Sequence, residues 1–363
     1  MLRRRFIQKM TMQAIRLHPA PAGSPAYTPS NPAPTSALHL ERIPIPTLSS
    51  QNQLLIKIKS TTIIRDTLTW PELYVEDKPY PTPGNDLSGT VVRTCSPDSK
   101  FETGDEVFGM LPADRPGTWA EYVVANENEV SIKPGGLKWD EAAALPLSGL
   151  TAFEMLFVHG GIPIPSNEDA IMNSKRASTQ GVGGEKAKKK VLVTGAAGAV
   201  GLYIVQLARL AGVHVTAASR SNERNGEILR SLGADEVVEY TELDSSAHAK
   251  GYDIILDTVG GATLESSWKW VKDNGHLMSV DSSSWNFVEE HKRAGTARGG
   301  VKALWFIVQG GSENLNALAR FAGVGLLRIF LLDTYPLSKI REAYDRANGR
   351  VTGRGKIIVS LDA

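Results

Sequence analysis

The chain has 363 residues, and its 40 basic and 39 acidic side chains leave a formal net charge of +1. This length exceeds what one hydrophobic core usually serves, so we expect two domains. A content of 42% hydrophobic and 22% charged residues is typical of a soluble globular protein and excludes disorder over most of the chain. The near-neutral charge offers no broad field for nucleic acid or an anionic membrane, so the expected partner is a small molecule.

Targeting, membrane and disulfide signals are weak. Cys95 is the single cysteine, which excludes an internal disulfide and zinc sites that need two thiolates, and it suits a reducing, cytoplasmic compartment. The apolar run "VGLLRIFLL" is shorter than the roughly 20 residues of a membrane span and contains Arg328. Residues 1–11 carry three adjacent arginines but lack the length and serine content of a transit peptide, so we expect a disordered extension.

Residues 12–148 read as an all-β half. The first strand is expected at Met12–His18, and the runs "QLLIKIKS", "DLSGTVVRTC", "DEVFGML", "TWAEYVVA" and "EVSIKP" each follow Gly, Pro, Asn or Asp turn signals. The Pro-, Ser- and Thr-rich stretch 19–36 is expected to be a surface loop. After Lys138 the spacing favours helices, with Asp140 as a candidate cap and a domain junction near Gly149.

The middle of the chain, from about 190 to 280, alternates β-rich and helical runs. This alternation predicts βαβ units and a parallel sheet, so the fold class is α/β. The polar segment 163–189 lacks periodicity and is expected to be a surface insertion. Near the end, "LSKIREAYDRANG" predicts an amphipathic helix and "GKIIVSL" a strand that needs a partner sheet.

The segment "VLVTGAAGAVGLYIVQLARLAGVHVTAASRS" carries the clearest functional signal. Gly195 closes an apolar strand, Gly198 follows three residues later, and Gly201 opens a helical pattern. Small residues let the backbone approach a pyrophosphate, and the amides and dipole of a helix N-terminus stabilise its charge. Because Ala197 stands where the usual G-x-G-x-x-G fingerprint has a glycine, a plain glycine-rich turn is the alternative. The strand, helix and strand order favours dinucleotide binding.

The end of the second strand bears on which dinucleotide is used. An acid there would bind the ribose 2′-hydroxyl of NAD(H), whereas hydroxyls and arginines suit the 2′-phosphate of NADP(H). The chain has Ser219, Arg220, Ser221 and Arg224, and the first acid is Glu223. NADPH is therefore the expected cofactor, and the alternative is that both arginines are ordinary surface residues.

The motifs taken together resemble those of a known family. "PTPGNDLSGTVV", "TGDEVFG", "GTWAEYVV", "AAALPLSGLTA", "VLVTGAAGAVG", "LGADEVVEY", "DTVGG" and "RGKIIVSL" occur in the order typical of the medium-chain dehydrogenase/reductase superfamily, and the match covers residues 12–361. Within it, the chain resembles the zinc-independent quinone oxidoreductase (zeta-crystallin-like) and enoyl reductase branch. The resemblance implies a GroES-like substrate domain at 12–148 plus 306–363 and an inserted Rossmann NADP(H)-binding domain at 149–305.

The resemblance also implies site residues around a cleft where nicotinamide meets substrate. Thr151 would lie near the nicotinamide or the pyrophosphate, Gly260 under the nicotinamide ribose, and Lys356 in the cofactor cleft. The alternatives are a helix cap for Thr151, a turn glycine for Gly260 and the end of a strand for Tyr240. The full cofactor-binding set is Thr151, Gly195, Ala197, Gly198, Ala199, Val200, Gly201, Ser219, Arg220, Ser221, Arg224, Tyr240, Gly260 and Lys356.

Departures from the family pattern concern the metal and the substrate. "PGNDLSG" replaces the Gly-His-Glu segment of the zinc enzymes, and the seven histidines show no metal-binding spacing, so no metal site is expected. Ile63 stands where many quinone reductases have an asparagine, which weakens any transfer of quinone specificity. Asp66, Trp70 and Tyr74 are candidates for the substrate cleft, with a core role as the alternative for Trp70. The catalytic group itself is unknown.

Without a metal, alcohol oxidation lacks the Lewis acid that it normally needs. Hydride transfer from NADPH to a quinone or an α,β-unsaturated carbonyl needs only hydrogen-bond donors for the developing oxyanion and a proton from solvent. We therefore expect an NADPH-dependent quinone or enone reductase. The alternatives are a stand-alone enoyl reductase of a polyketide or secondary-metabolite pathway, and a non-catalytic NADPH-binding sensor or structural protein. A homodimer is a family-level expectation.

Overall fold

A computed structural model describes residues 10–77, 79–175, 189–349 and 353–361. The described residues form two compact units. The first takes in Met1–Leu147, Gly310–Ala319 and Ile329–Ala363, and the second takes in Ser148–Gln309 and Arg320–Arg328. Ser148 and residues 306–309 and 320–328 therefore belong to the second unit, whereas the predicted division places them in the first. Residues 1–9 of the predicted extension and 176–188 of the predicted insertion lie outside the described residues.

The strands and helices follow the order expected from the sequence pattern. The strands are β1 Thr11–Leu17, β2 Leu38–Pro44, β3 Gln53–Ile63, β4 Asp86–Thr94, β5 Glu106–Met110, β6 Tyr122–Asn126, β7 Val130–Ile132, β8 Lys190–Val193, β9 His214–Ser219, β10 Glu236–Glu239, β11 Tyr252–Asp257, β12 Val271–Ser279, β13 Lys302–Trp305, β14 Leu331–Pro336 and β15 Lys356–Ser360. The helices are α1 Trp139–Ala144, α2 Pro146–Phe153, α3 Asn167–Ser174, α4 Ala199–Leu210, α5 Asn222–Leu232, α6 Gly261–Trp270, α7 Phe287–Arg293, α8 Ser312–Gly323 and α9 Ile340–Asn348. Within the described ranges, no helix combines the length and apolarity needed to cross a bilayer.

The first unit is built on one long strand. β3 pairs antiparallel with β4, β6 and β15 in a sheet of order β14-β15-β3-β4-β5-β7. Its residues Leu54, Ile56 and Ile58 alternate onto the buried face, as the two-residue period of a strand requires. Because β15 completes this sheet, the C-terminal strand finds the partner that its sequence predicted. This is the β-rich domain of the expected GroES-like type.

The second unit has a doubly wound parallel sheet, which confirms the predicted α/β class. Its order is β10-β9-β8-β11-β12-β13, so the chain starts in the middle, moves to one edge, and then returns to build the other side. Val191, Leu192 and Val193 of β8 are all fully buried, because helices cover both faces of a parallel sheet. The order reverses between β8 and β11, and ligands bind at the carboxyl ends of the strands at such a point.

Three local expectations differ from the structure. The first strand begins one residue earlier than expected, at Thr11, and ends at Leu17. The predicted insertion contains the helix α3, which Ser166 caps by accepting from Asp169 N–H at 3.1 Å. The helix was missed because its apolar spacing is short and irregular. Asp140 does not cap α1, which begins at Trp139; its carboxylate instead accepts from Ser60 Oγ at 2.5 Å.

Candidate functional site

A tight turn joins β8 to α4 at the point where the strand order reverses. Gly195 has a φ of +65°, a conformation that side chains disfavour, and its carbonyl accepts from Gly198 N–H at 2.8 Å. The turn is also tied to the sheet, since Ala196 N–H donates to Ala218 O at 3.2 Å. Ala197 is half-buried and Gly198 is exposed, so the outer part of the turn faces away from the core.

Two glycines allow the helix to begin directly against the end of the strand. A Cβ at Gly195 would overlap Thr258 Oγ1, and a Cβ at Gly201 would overlap the carbonyl oxygen of Gly195. The second overlap involves backbone, which cannot move aside as a flexible side chain can. Gly198 is different, because the nearest atom to an added Cβ is Gly195 O at 3.1 Å. The missing side chain of Gly198 is therefore not required by packing in the core, and it leaves the exposed side of the turn open.

The N-terminus of α4 points its amides out of this turn. The first intrahelical bond is donated by Leu202 N–H to Gly198 O at 3.0 Å, so the amides of Ala199, Val200 and Gly201 precede the hydrogen-bonded ladder. These donors and the helix dipole favour an anion at this position. The space that a Cβ would fill and the set of backbone donors both fit the diphosphate of a dinucleotide. The structure thus brings together the predicted residues of the glycine-rich turn.

Tyr240 is tied to the same turn from the neighbouring strand region. Its hydroxyl accepts a hydrogen bond from Gly195 N–H at 2.8 Å, and Tyr240 begins the short helical turn after β10. Burial raises the pKa of the Tyr240 phenol, while the positive charge of Arg220 opposes that rise. The phenol therefore keeps its proton at neutral pH and can donate a hydrogen bond. The structure thus ties Tyr240 to the glycine-rich turn, and a contact between Tyr240 and the cofactor stays a prediction.

The turn between β9 and α5 is shaped by its own serines. Ser219 Oγ donates to Ser221 O at 3.2 Å, and Ser221 Oγ caps α5 by accepting from Arg224 N–H at 3.3 Å. The side chains of Arg220 and Arg224 are exposed. The hydroxyls thus order the turn, and the arginines supply its positive charge.

A buried carboxylate that the sequence analysis overlooked lies at the strand crossover. Asp257 ends β11 and is fully buried. It accepts from Thr194 Oγ1 at 2.5 Å and from Ser279 Oγ at 2.8 Å, which joins the ends of β8, β11 and β12. It also accepts from the amides of Val259 at 3.3 Å and Gly260 at 2.9 Å. Burial outweighs these donors and raises the pKa of Asp257. An acid closing an apolar strand, as in "ILDTVGG", is the signal that could have found it.

Gly260 lies in the loop that follows this carboxylate. Its φ of +72° favours glycine, and an added Cβ would overlap the carboxylate of Asp281. Asp281 in turn accepts from Ser283 Oγ at 2.5 Å and Ser284 Oγ at 2.7 Å. The structure thus shows the turn role that was the alternative for Gly260, and its place under the nicotinamide ribose stays a prediction. Gly260 and Asp281 both lie at the carboxyl edge of the parallel sheet.

Thr151 lies inside α2 and is buried, so it does not cap that helix. The helix continues as a π-helical segment at Glu154–His159, a geometry often found near functional sites. Glu154 is buried there and accepts from Gln309 N–H at 3.0 Å. A contact between Thr151 and a cofactor stays a prediction.

In the first unit, Lys356 belongs to a buried ion pair. Its Nζ lies 2.9 Å from Asp86 Oδ2, and both residues are almost completely buried. Thr62 Oγ1 donates to the same oxygen at 2.6 Å, while Leu147 N–H donates to Asp86 Oδ1 at 2.7 Å. Breaking such a pair by removing one partner leaves a buried charge uncompensated. The structure therefore shows a role for Lys356 in its own domain, and its cofactor contact stays a prediction.

The three substrate-cleft candidates occupy one loop of the first unit. Asp66 is exposed, has a φ of +60°, and donates from its N–H to Asn348 Oδ1 at 2.9 Å. Tyr74 uses its hydroxyl to donate to Leu68 O and to accept from Ala33 N–H at 3.0 Å, which anchors the loop. Trp70 is half-buried and lines a cavity of about 10 Å³, the size of one water. Trp70 therefore lines a small cavity next to the loop.

That cavity is also lined by a residue of the segment that replaces the zinc-type Gly-His-Glu motif. Asn85 is buried, and its Nδ2 donates to Leu111 O at 3.0 Å. Cys95 is exposed and forms no disulfide. Among the residues that the structure describes, no group of three or more His, Cys, Asp or Glu side chains is placed to hold a metal ion.

Two family models match the chain. Residues 50–135 match the alcohol dehydrogenase GroES-like domain, and residues 232–359 match a model described as zinc-binding dehydrogenase. The first region falls on the β-rich first unit, and the second covers the later part of the chain, including strands β10 to β13 of the parallel sheet.

Curated relatives cover most of the chain. A probable zinc-binding oxidoreductase, mitochondrial, of Arthroderma benhamiae is 31% identical over 91% of this chain and 94% of its own length. The mitochondrial NAD(P)H oxidoreductase RTN4IP1 of Mus musculus is 32% identical over 77% of this chain and 70% of its own length. A chloroplast envelope quinone oxidoreductase homolog of Arabidopsis thaliana is 30% identical over 88% of this chain and 92% of its own length.

A solved structure supports the fold. The quinone oxidoreductase from Coxiella burnetii superposes with a TM-score of 0.77 at 24% identity, and the match covers 97% of this chain and 100% of that protein.

The Gly198→Asp variant should keep its fold and lose nucleotide binding. Gly198 is the N-cap of α4 with φ −81°, which suits aspartate, and a carboxylate there would accept the helix amides that an anion needs. We expect NADPH affinity to fall at least about 100-fold with an unchanged or higher melting temperature. Gly198→Ala is the control and should lose less than about tenfold. Calorimetric titration showing equal affinity for the two variants would contradict the assignment.

The Tyr240→Phe variant removes the acceptor of Gly195 N–H and a phenolic donor. We expect NADPH binding to weaken by about fivefold to tenfold, the effect of losing one hydrogen bond. Tyr252→Phe is the matched control, because its hydroxyl contacts His248 Nδ1 at 2.7 Å at the start of β11, the opposite edge of the sheet. Fluorescence titration should give the wild-type Kd for the control. The same loss in both variants would count against the role of Tyr240.

Proposed function

Because this chain belongs to the medium-chain dehydrogenase/reductase superfamily, in its quinone oxidoreductase-like branch, we propose that it is an NADPH-dependent, metal-free reductase that transfers hydride to a quinone or an α,β-unsaturated carbonyl. At the coarser level the chain is an oxidoreductase that uses a nicotinamide cofactor. The small-molecule electrophile and a homodimer are part of the proposal. The predicted cytoplasmic location stays a prediction, because the names of the relatives place them in mitochondria or chloroplasts.

The observation that carries the proposal is the turn at Gly195–Gly201 and the charge beside it. The α4 amides provide a diphosphate site, and Gly195 N–H links this site to Tyr240. The exposed cations Arg220 and Arg224 follow β9, where a 2′-phosphate would carry its second charge. This combination of an anion-binding helix and an adjacent cationic turn supports NADPH over NADH.

The chemistry divides between the cofactor and the chain. When bound, the reduced nicotinamide supplies the hydride. The residues of the second unit bind and orient: the α4 amides hold the diphosphate, and Asp257 fixes the ends of β8, β11 and β12 against one another. A rigid frame of this kind supports the orientation on which transfer to an electrophilic carbon depends. Hydrogen-bond donors stabilise the charge that forms on the acceptor oxygen, and solvent returns the proton.

The metal-free part of the proposal rests on Asn85 and Asp86, which lie in the segment that replaces the Gly-His-Glu motif of the zinc enzymes. The side-chain nitrogen of Asn85 is bound to a backbone carbonyl, and Asp86 is bound to Lys356, Thr62 and Leu147. A carboxylate with these partners stabilises its own domain and has no coordination to offer without breaking a buried pair. Reduction of a conjugated carbonyl needs no Lewis acid, so the proposal and the residues are consistent.

A substrate panel tests the reaction. We expect the chain to oxidise NADPH in the presence of quinones or short enones, to leave simple alcohols unoxidised, and to keep its rate after dialysis against a chelator. Faster turnover of acyl-thioester enoyl substrates would favour the enoyl reductase alternative. NADPH binding without oxidation by any electrophile would favour the non-catalytic alternative. Stoichiometric zinc by elemental analysis, together with loss of activity on chelation, would overturn the metal-free assignment.

The cofactor preference is tested by arginine variants. We expect Arg220→Ala and Arg224→Ala to weaken NADPH by about fivefold to tenfold while changing NADH by less than about twofold, because only NADPH carries the second phosphate. Arg230→Ala is the matched control, since Arg230 is an exposed arginine in the last turn of the same helix. Steady-state KM values for both nucleotides measure the effect. Equal losses for NADPH and NADH would contradict the 2′-phosphate role.

A further inference from the structure

The turn after β9 has no acid of its own, but the neighbouring strand brings one beside it. Glu239 ends β10, and it pairs in parallel register with Ser219, which ends β9. Both residues therefore lie at the carboxyl edge of the sheet, one strand apart. Along the chain Glu239 is far from the turn, and the first acid after β9 is Glu223. Only the pairing of β9 with β10 therefore places Glu239 beside the turn.

Backbone donors hold the carboxylate of Glu239 in place. Its Oε1 accepts from the N–H of Asn222, the first residue of α5, at 2.7 Å. The carboxylate also accepts from the N–H of Glu242, whose own carboxylate accepts from Glu239 N–H at 2.7 Å. Asn222 Nδ2 adds a bond to Val237 O at 3.3 Å. The negative charge of Glu239 is thus fixed at the N-terminus of α5.

That position matters for the choice between the two nicotinamide nucleotides. In a sheet of this order, the ribose of the adenosine lies at the end of the second strand, which here is β9. A carboxylate at this place accepts hydrogen bonds from a ribose hydroxyl and repels a phosphate on the same carbon. Arg220 has the opposite effect, since its guanidinium attracts the phosphate. A cation and a held carboxylate, of opposite sign, would therefore act on one group of the ligand.

We propose that Glu239 is a specificity-determining residue that favours the 2′-hydroxyl of NADH and disfavours the 2′-phosphate of NADPH. The inference rests on the proposed function, because it requires that the β9–α5 turn receives the adenosine ribose. Arg220 and Arg224 outweigh Glu239, so NADPH remains the preferred nucleotide, but by a margin that Glu239 limits. The chain consequently binds both nucleotides. Removing the negative charge while keeping the hydrogen-bond acceptor should sharpen the preference for NADPH.

The test is direct binding of NADPH and NADH to the purified full chain by calorimetric titration. Glu239→Gln keeps an oxygen that accepts from Asn222 N–H, so the hydrogen bond to the first residue of α5 is retained. We expect it to tighten NADPH by about fivefold and to weaken NADH by about twofold, a shift of about tenfold in the ratio of the two Kd values. Glu236→Gln is the matched control, because Glu236 begins the same strand at the opposite edge of the sheet. Its Kd ratio should change by less than about twofold.

Each other outcome has a defined meaning. An unchanged Kd ratio in Glu239→Gln, or an equal shift in Glu236→Gln, would overturn the inference and leave the proposed function standing. Failure of the wild-type chain to bind either nucleotide would overturn the proposed function itself. If Glu239→Gln lowers the melting temperature, Glu239→Thr replaces it, since threonine is a favoured N-cap and suits the end of a strand. The same shift in Kd ratio is expected from that variant.

Discussion

The candidate site depends on the close contact between the first turn of α4 and the end of β8. Gly201 and Gly195 lie so near each other that a Cβ on Gly201 would overlap the Gly195 carbonyl oxygen. This contact lets the helix begin directly at the strand end, so its first amides face outward at the point where the strand order reverses. An anion at that place meets backbone donors and a helix dipole together. The contact that packs α4 against β8 therefore also produces the candidate anion site.

Buried polar groups hold the strand ends around that site. Asp257 bonds to Thr194 and Ser279 on the strands beside it, and to the amides of the loop that contains Gly260. Without these partners a buried carboxylate would be costly, and with them it joins three strands. Asp86 has a comparable position in the first unit, where Lys356 links the C-terminal strand to β4. In both units one carboxylate thus connects segments that are distant along the chain.

The carboxyl ends of β9 and β10 carry charges of both signs. In the proposals above, Arg220 and Arg224 favour a second phosphate, and Glu239 opposes it from the neighbouring strand. The serines that the sequence suggested as phosphate ligands order the turn and cap α5. In the proposed function, cofactor preference is therefore a difference between opposing charges, and small changes in charge at this edge of the sheet should change it.

The sequence alone determined the features that depend on residues close together along the chain. Strand and helix periods and the motif order were sufficient for the α/β class and for the expectation of two domains, whereas dinucleotide binding at Gly195–Gly201 stays a prediction. Only the tertiary structure decided the pairings between distant residues, such as Lys356 with Asp86, Asp257 with Ser279, and Glu239 with Asn222. The physical reason is that hydrogen bonds and charges act over a few ångströms in space. Residues many positions apart come that close only when the sheet sets their register.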